Sequence, residues 1–148
     1  MALLWTTAVV GQQDLLRLEH CRFVETDWCD GDSFRVATAE GKQMTIRLYG
    51  VDCLESRVTD TTDARRLRAQ RRYFGISNFG GSPQSSIAAT KRMGREARTF
   101  VMAELKRPFT VITAKADARG DAKYKRYYGF VITADGKDLA ERLVRLGH

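Results

Sequence analysis

Apolar residues recur at two different intervals along this chain, and the change of interval marks out its elements. Over positions 15–28, Leu16, Leu18, Cys21, Phe23 and Val24 alternate in places with polar residues, which predicts a strand over much of the stretch. Asp30-Gly31-Asp32 predicts a turn, 34–38 a short strand, Glu40-Gly41-Lys42 a tight turn and 44–51 a third strand. Strand, turn, strand, turn, strand is a meander. Within the third strand, alternation sets Arg47, Tyr49 and Val51 on one side and Leu48 opposite.

From 56 to 105 the interval lengthens to that of a helix. Thr61 or Thr62 is placed to cap a helix running to Tyr73-Phe74, and 75–81 breaks it. Ser82-Pro83 then offers an N-cap followed by proline at the first helical position. Met93, Ala97, Phe100, Val101 and Leu105 follow on one apolar face, and Pro108 ends the helix. Met93, Phe100 and Leu105 are assigned to the core. Strands are predicted at 109–114 and 127–133, with a polar hairpin loop at 117–125 between them. A last helix over 138–146 turns Leu139, Leu143 and Leu146 inward.

Five strands, with helix inserted after the third and following the fifth, predict an α+β, mainly β, single domain. The expected form is a five-stranded OB-type β-barrel with about three helices and a helical insertion at about 57–91. The apolar opening 1–10 lacks a basic flank before it and a good cleavage site after it, so it reads as a mature N-terminus rather than an export signal, with a first strand as one form open to it.

Charge adds a partner to this picture. The 148 residues carry a net charge of +7, and the isoelectric point is near 9.6. Arg65, Arg66, Arg68, Arg71 and Arg72 crowd one stretch, and Lys91, Arg92, Arg95 and Arg98 another. Such clusters are the footprint of a nucleic-acid binder. A membrane surface is the weaker fit, because the Arg-rich helix lacks a Trp, Phe and Leu edge to sink into lipid. Three cysteines exclude a complete disulfide framework. Cys21 and Cys29, read as one strand, stand about 26 Å apart and too far to bridge.

The candidate chemistry lies where the meander turns. Asp52 and Glu55 end the third strand, Arg47 precedes them on it, and Asp30-Gly31-Asp32 sits at a turn that a hairpin can bring alongside. Two carboxylates and a guanidinium on neighbouring strand ends suit a hard divalent cation and a phosphate. Each residue alone also suits a plain role: a turn, a solvated strand face, a helix cap. His20 and His148 are poorly placed to serve as a general base.

Taken in order, four motifs carry a resemblance. These are Asp30-Gly31-Asp32; Arg47-Leu48 with Val51-Asp52 and Glu55; Tyr124-Lys125-Arg126; and Ala134-Asp135-Gly136-Lys137 followed by Glu141-Arg142-Leu143-Val144-Arg145-Leu146-Gly147. From about Cys21 to His148 the chain resembles the staphylococcal nuclease-like (thermonuclease) family. The resemblance implies the OB barrel and Ca²⁺-dependent, with Mg²⁺ as the other candidate cation, hydrolysis of DNA and RNA, leaving 3′-phosphate and 5′-hydroxyl ends. It implies Asp32 and Asp52 as metal ligands with the backbone carbonyl of Cys53, Glu55 as general base, and Arg47 and Arg126 on the phosphate. The implied substrates are single strands or frayed duplexes, with export or cell-envelope location by analogy alone. A binding module of the same fold without hydrolysis is the alternative.

Two departures stand out. The family usually has proline where Leu54 stands, and leucine leaves the backbone before Glu55 freer. Lys125 and Tyr127 flank Arg126 where glycines are common. Beside the site, Tyr124 and Tyr127 are expected to face outward and stack bases. Arg65, Arg68 and Arg72 on the inserted helix are expected to widen the phosphate track.

Overall fold

The computed structural model describes residues 14–119 and 125–148, so the opening at 1–10 lies outside the described residues. Five strands close in a ring: β1 (Leu16–Val24), β2 (Ser33–Ala37), β3 (Gln43–Leu48), β4 (Phe109–Thr113) and β5 (Arg126–Ile132). The order round the ring is β1-β2-β3-β5-β4, antiparallel except for the parallel β3–β5 pair. Between β3 and β4 stand α1 (Thr61–Tyr73) and α2 (Pro83–Glu104), and α3 (Leu139–Arg145) follows β5. The predicted α+β order is the observed one, with three helices. None of the described helices is long and apolar enough to cross a membrane.

β1 serves two neighbours by bending. Leu16–Leu18 pair with β4 and Arg22–Val24 with β2, and the register slips between Leu18 and Cys21. His20 takes the slip, at φ 55°, a conformation few non-glycine residues adopt. The apolar positions change parity there, from 16 and 18 to 21 and 23, which is the sequence mark of the bulge. β1 stops at Val24, short of the predicted 28, because the chain must turn toward β2. Cys29 therefore lies in that connection and not on Cys21's strand. Both are buried and free, as is Cys53.

β3 also stops early, at Leu48. Gly50 takes φ 78°, and the chain turns so that Tyr49 is exposed while Val51 packs on the core. The expected common side for Arg47, Tyr49 and Val51 is thus not found. Inside the ring, Phe34, Val36, Ile46, Leu48, Val111 and Val131 meet Ala97 and Val101 of α2, Leu105 at its C-cap, and Leu139 and Leu143 of α3. Phe100 packs at the edge of this cluster. Met93 is half-buried and outside it, and Leu146, past the end of α3, is exposed.

The helix ends follow local chemistry. Asp60, not Thr61 or Thr62, caps α1, its carboxylate accepting from the Thr62 and Asp63 amides at 2.7 and 2.9 Å. An aspartate caps as well as a hydroxyl and adds a favourable charge at the positive helix end. Ser82 caps α2 with Pro83 at its start, as predicted. α2 ends at Glu104, four residues before Pro108.

One arginine of the basic cluster is structural. Arg71 is buried, donating to Ser86 Oγ at 2.7 Å, Ser77 O at 2.5 Å and Pro83 O at 3.1 Å. It ties the end of α1 to the turn and to α2. Arg71→Ala leaves those acceptors in a space without replacement donors, at roughly 1–3 kcal/mol for an unsatisfied buried group. The expected result is faster protease cleavage within 74–82 and a lower melting temperature, read by limited proteolysis and thermal denaturation.

Candidate active site

The Asp30-Gly31-Asp32 turn is held down by packing. A side chain at Gly31 would lie 2.8 Å from both Ala97 Cβ and Cys53 Sγ, so only glycine lets the turn sit under α2. The Asp32 carbonyl accepts from the Leu48 amide at 2.8 Å. Its carboxylate is almost wholly buried, with one oxygen accepting from the Cys53 amide at 2.7 Å and the other from Arg47 Nη1 at 2.8 Å. The β2–β3 register sets Arg47 opposite Ser33, and Arg47 also donates to Ser33 Oγ at 3.3 Å. Its other end, Nη2, donates to Asp52 Oδ1 at 2.5 Å. One guanidinium thus joins both expected metal-ligand carboxylates.

Glu55 stands on the irregular stretch after β3. Two helices hold that stretch between them. From α1, Gln70 Oε1 accepts from the Glu55 amide at 3.0 Å and Gln70 Nε2 donates to the Cys53 carbonyl at 3.0 Å. From α2, Gly94 meets the backbone itself: a side chain there would lie 2.8 Å from Ser56 N, 2.9 Å from Glu55 C, and closer still to Leu54 O. Ser56 Oγ donates to Asp30 Oδ1 at 2.8 Å, pinning the stretch to the acidic turn. The Glu55 side chain is 14% exposed, with Arg66 Nη1 at 3.7 Å from its Oε1.

Asp30, Asp32, Arg47, Glu55, Arg66, Arg119 and Arg126 are among the residues lining one cleft of about 360 Å³. Arg126 enters from β5 beside Thr45, its Nε donating to Ala118 O at 2.6 Å, and it lines the cleft. Burial pushes the Asp32 carboxyl up to about 6 against the pull of Arg47. Burial, and then the charge of Asp30, push Glu55 up to about 7, with Arg66 opposing. Asp30 is raised too, by burial, against its hydrogen bonds from Ser56. Three wholly or partly buried carboxyls that feel one another's charge describe a place where a proton is readily held.

Not every expected residue converges. Asp52 is 64% exposed and does not line the cleft, and the Cys53 carbonyl is already met by Gln70. Among the described residues, no three His, Cys, Asp or Glu side chains gather as a ready metal site. The donor chemistry nonetheless fits a hard divalent cation, since carboxylate and carbonyl oxygens are what such ions take. Tyr127, expected outward, packs half-buried on the core, and Tyr128 is the exposed neighbour. Strand alternation and the inward position of Gly129 decide that parity. Tyr128 lies edge-on to Tyr49, ring centres 6.2 Å apart, and Tyr49 leans on Phe130 at 5.3 Å. Tyr124 lies outside the described residues.

On α1, Leu67, Gln70 and Arg71 face inward with Arg66 at the cleft, and Arg65, Arg68 and Arg72 are exposed on the opposite side. That stripe therefore points away from the cleft it was expected to extend. Sequence reasoning missed Arg66, Gln70, Arg119 and Gly94. The spacing 63, 66, 67, 70 around buried Leu67 marks the inner face and was the available signal for the first two. No family model matches the chain, and no curated protein matches it.

Proposed function

We propose that the protein is a metal-dependent, sequence-nonspecific nuclease on an OB-type barrel, hydrolysing phosphodiesters of single-stranded or frayed DNA and RNA. One observation carries the reading. Asp32, Arg47, Glu55 and Arg126 line one cleft, and Arg47 ties the exposed Asp52 to Asp32, a gathering of anions and guanidiniums that a plain turn and strand do not need. The ring order β1-β2-β3-β5-β4 agrees with an OB barrel.

Asp32, Asp52 and the Cys53 carbonyl would hold the ion, Ca²⁺ or Mg²⁺. When bound, it supplies Lewis-acid neutralisation of the phosphate charge. Glu55, held near neutrality, takes the proton from the attacking water at its carboxylate, where a general base works best. Arg126 presents its terminal nitrogens to a phosphate oxygen, and Arg47 can exchange an exposed carboxylate partner for a second. Tyr128, Tyr49 and Phe130 offer an aromatic surface along β5, beyond Arg47, which pairs with Tyr128 in register.

The deciding experiment is digestion of denatured DNA and of RNA with Ca²⁺, Mg²⁺ or EDTA. Cleavage in metal and none in EDTA is the expected outcome. No cleavage in any metal would overturn it in favour of a second reading, a nucleic-acid-binding module without hydrolysis. That second reading has its own support, since both ends of Arg47 are already neutralised by carboxylates.

The two tyrosines separate by measurement. Tyr128→Ala is expected to weaken single-strand binding by about 1–3 kcal/mol, the usual worth of one stacked base, with stability unchanged. Tyr127→Ala is expected to lower the melting temperature instead. Fluorescence titration with an oligonucleotide and thermal denaturation read the two.

A further inference from the structure

We infer that Gln70 is a positioning residue for Glu55, its carboxamide closing a ring across Leu54 that fixes the backbone from which Glu55 projects. The inference rests on the nuclease reading for its kinetic arm only. Gln70 accepts from the Glu55 amide and donates to the Cys53 carbonyl, both at 3.0 Å. The two bonds engage the residues on either side of Leu54 and use both ends of one planar amide.

The chain needs such a device here. Residues 51–60 form no helix or strand, so no ladder of backbone bonds fixes the angles at Leu54. Leucine adds no restraint of its own, whereas a ring at this position would. Among the described residues no hydrogen bond runs from the Leu54 amide, so the bonds made by its two neighbours restrain the segment, beside the Ser56–Asp30 bond and the packing of Gly94. Gln70 supplies its two bonds from a helix that is itself anchored, because Leu67 and Arg71 on the same face are buried. A group set on a rigid element holds its partner more closely than one on a loop.

Gln70 and Gly94 both act on this stretch. The backbone of 54–56 is pressed from α2 and hydrogen-bonded from α1. The inserted helix thereby gains a role in the chemistry that its outward arginines, turned from the cleft, do not supply. A purely structural role, fastening α1 to the ring, predicts a different pattern of effects.

Gln70→Ala is the test. The expected kinetic result is a fall in kcat of about 10²-fold, the cost of a small misplacement of a reacting group, with KM unchanged. The expected exchange result is roughly tenfold faster hydrogen exchange at the Glu55 amide, from the loss of one hydrogen bond. Adding Leu54→Pro to Gln70→Ala is expected to restore most of kcat, because the ring stiffens the segment without refastening α1. If Gln70→Ala does not fold, Gln70→Asn replaces it, one methylene too short to span both partners. Unchanged exchange at the Glu55 amide overturns the inference, as does a loss of kcat that tracks melting temperature and ignores Leu54→Pro. A wild-type protein that cleaves nothing overturns the nuclease reading, and the exchange measurement then still decides whether Gln70 holds Glu55.

Discussion

Glu55→Gln is expected to lower kcat on denatured DNA by about 10²–10⁴, the usual contribution of a positioned general base, while KM and oligonucleotide binding stay as they are. Gln keeps the shape and the Gln70-held backbone, so only the proton acceptor is lost. The same variant is expected to be more stable than wild type in EDTA at pH 8. The sign follows from the raised carboxyl, which sits at about 7 in the fold against an ordinary value near 4.5. Such a group costs the fold nothing below its unfolded value and an increasing amount as pH rises to the folded one. A neutral amide removes that cost, so the two proteins should melt together at pH 4 and apart at pH 8. Equal cleavage by both proteins would exclude Glu55 as the base. Equal melting at pH 8 would mean that Glu55 is solvated and ordinary.

Gly94→Ala carries the second large effect. Within a helix, alanine normally gains about 1 kcal/mol over glycine, so the simple expectation is stabilisation. Here the added carbon meets main-chain atoms of 54–56 at 2.8 and 2.9 Å, and main chain has no rotamer by which to yield. Overpacking of this kind costs about 1–3 kcal/mol, occasionally more. The expected net result is a melting temperature lower by a few degrees, at roughly 2–4 °C per kcal/mol for a chain of this size. Activity should fall further than stability, because the segment pushed off α2 carries Glu55. Gly94→Ala that melts higher and cleaves normally would show that α2 and the Glu55 segment have room between them.

The fold was legible to the extent that its signals were local. Each strand and helix was expected in its place because period, turn residues and caps lie within a few positions of one another. The ends were less so: β3 was expected to reach 51, and Gly50 turns it at 48 because the following residues are needed beneath α2. The acidic turn, Arg47, Asp52 and Glu55 were legible as one neighbourhood from the turn and strand positions, whereas Arg126 entered only through the family resemblance. The neighbours of this set were less so: the spacing around Leu67 marks Gln70 as inward, but what Gln70 and Gly94 touch lies 15 or more residues away. Tyr127 and Tyr128 exchanged places because adjacent strand residues carry the same signal, and only the parity set by buried Gly129 and Val131 tells them apart.

The glycine at 31 has a consequence for how the cleft is held together. Its turn rests against Ala97 and Cys53, so the acidic corner keeps its shape only while α2 stays docked on the strands. Arg126 joins the same cleft from β5, far along the chain from that corner. Loosening α2 would therefore open the corner without touching any of its charged side chains.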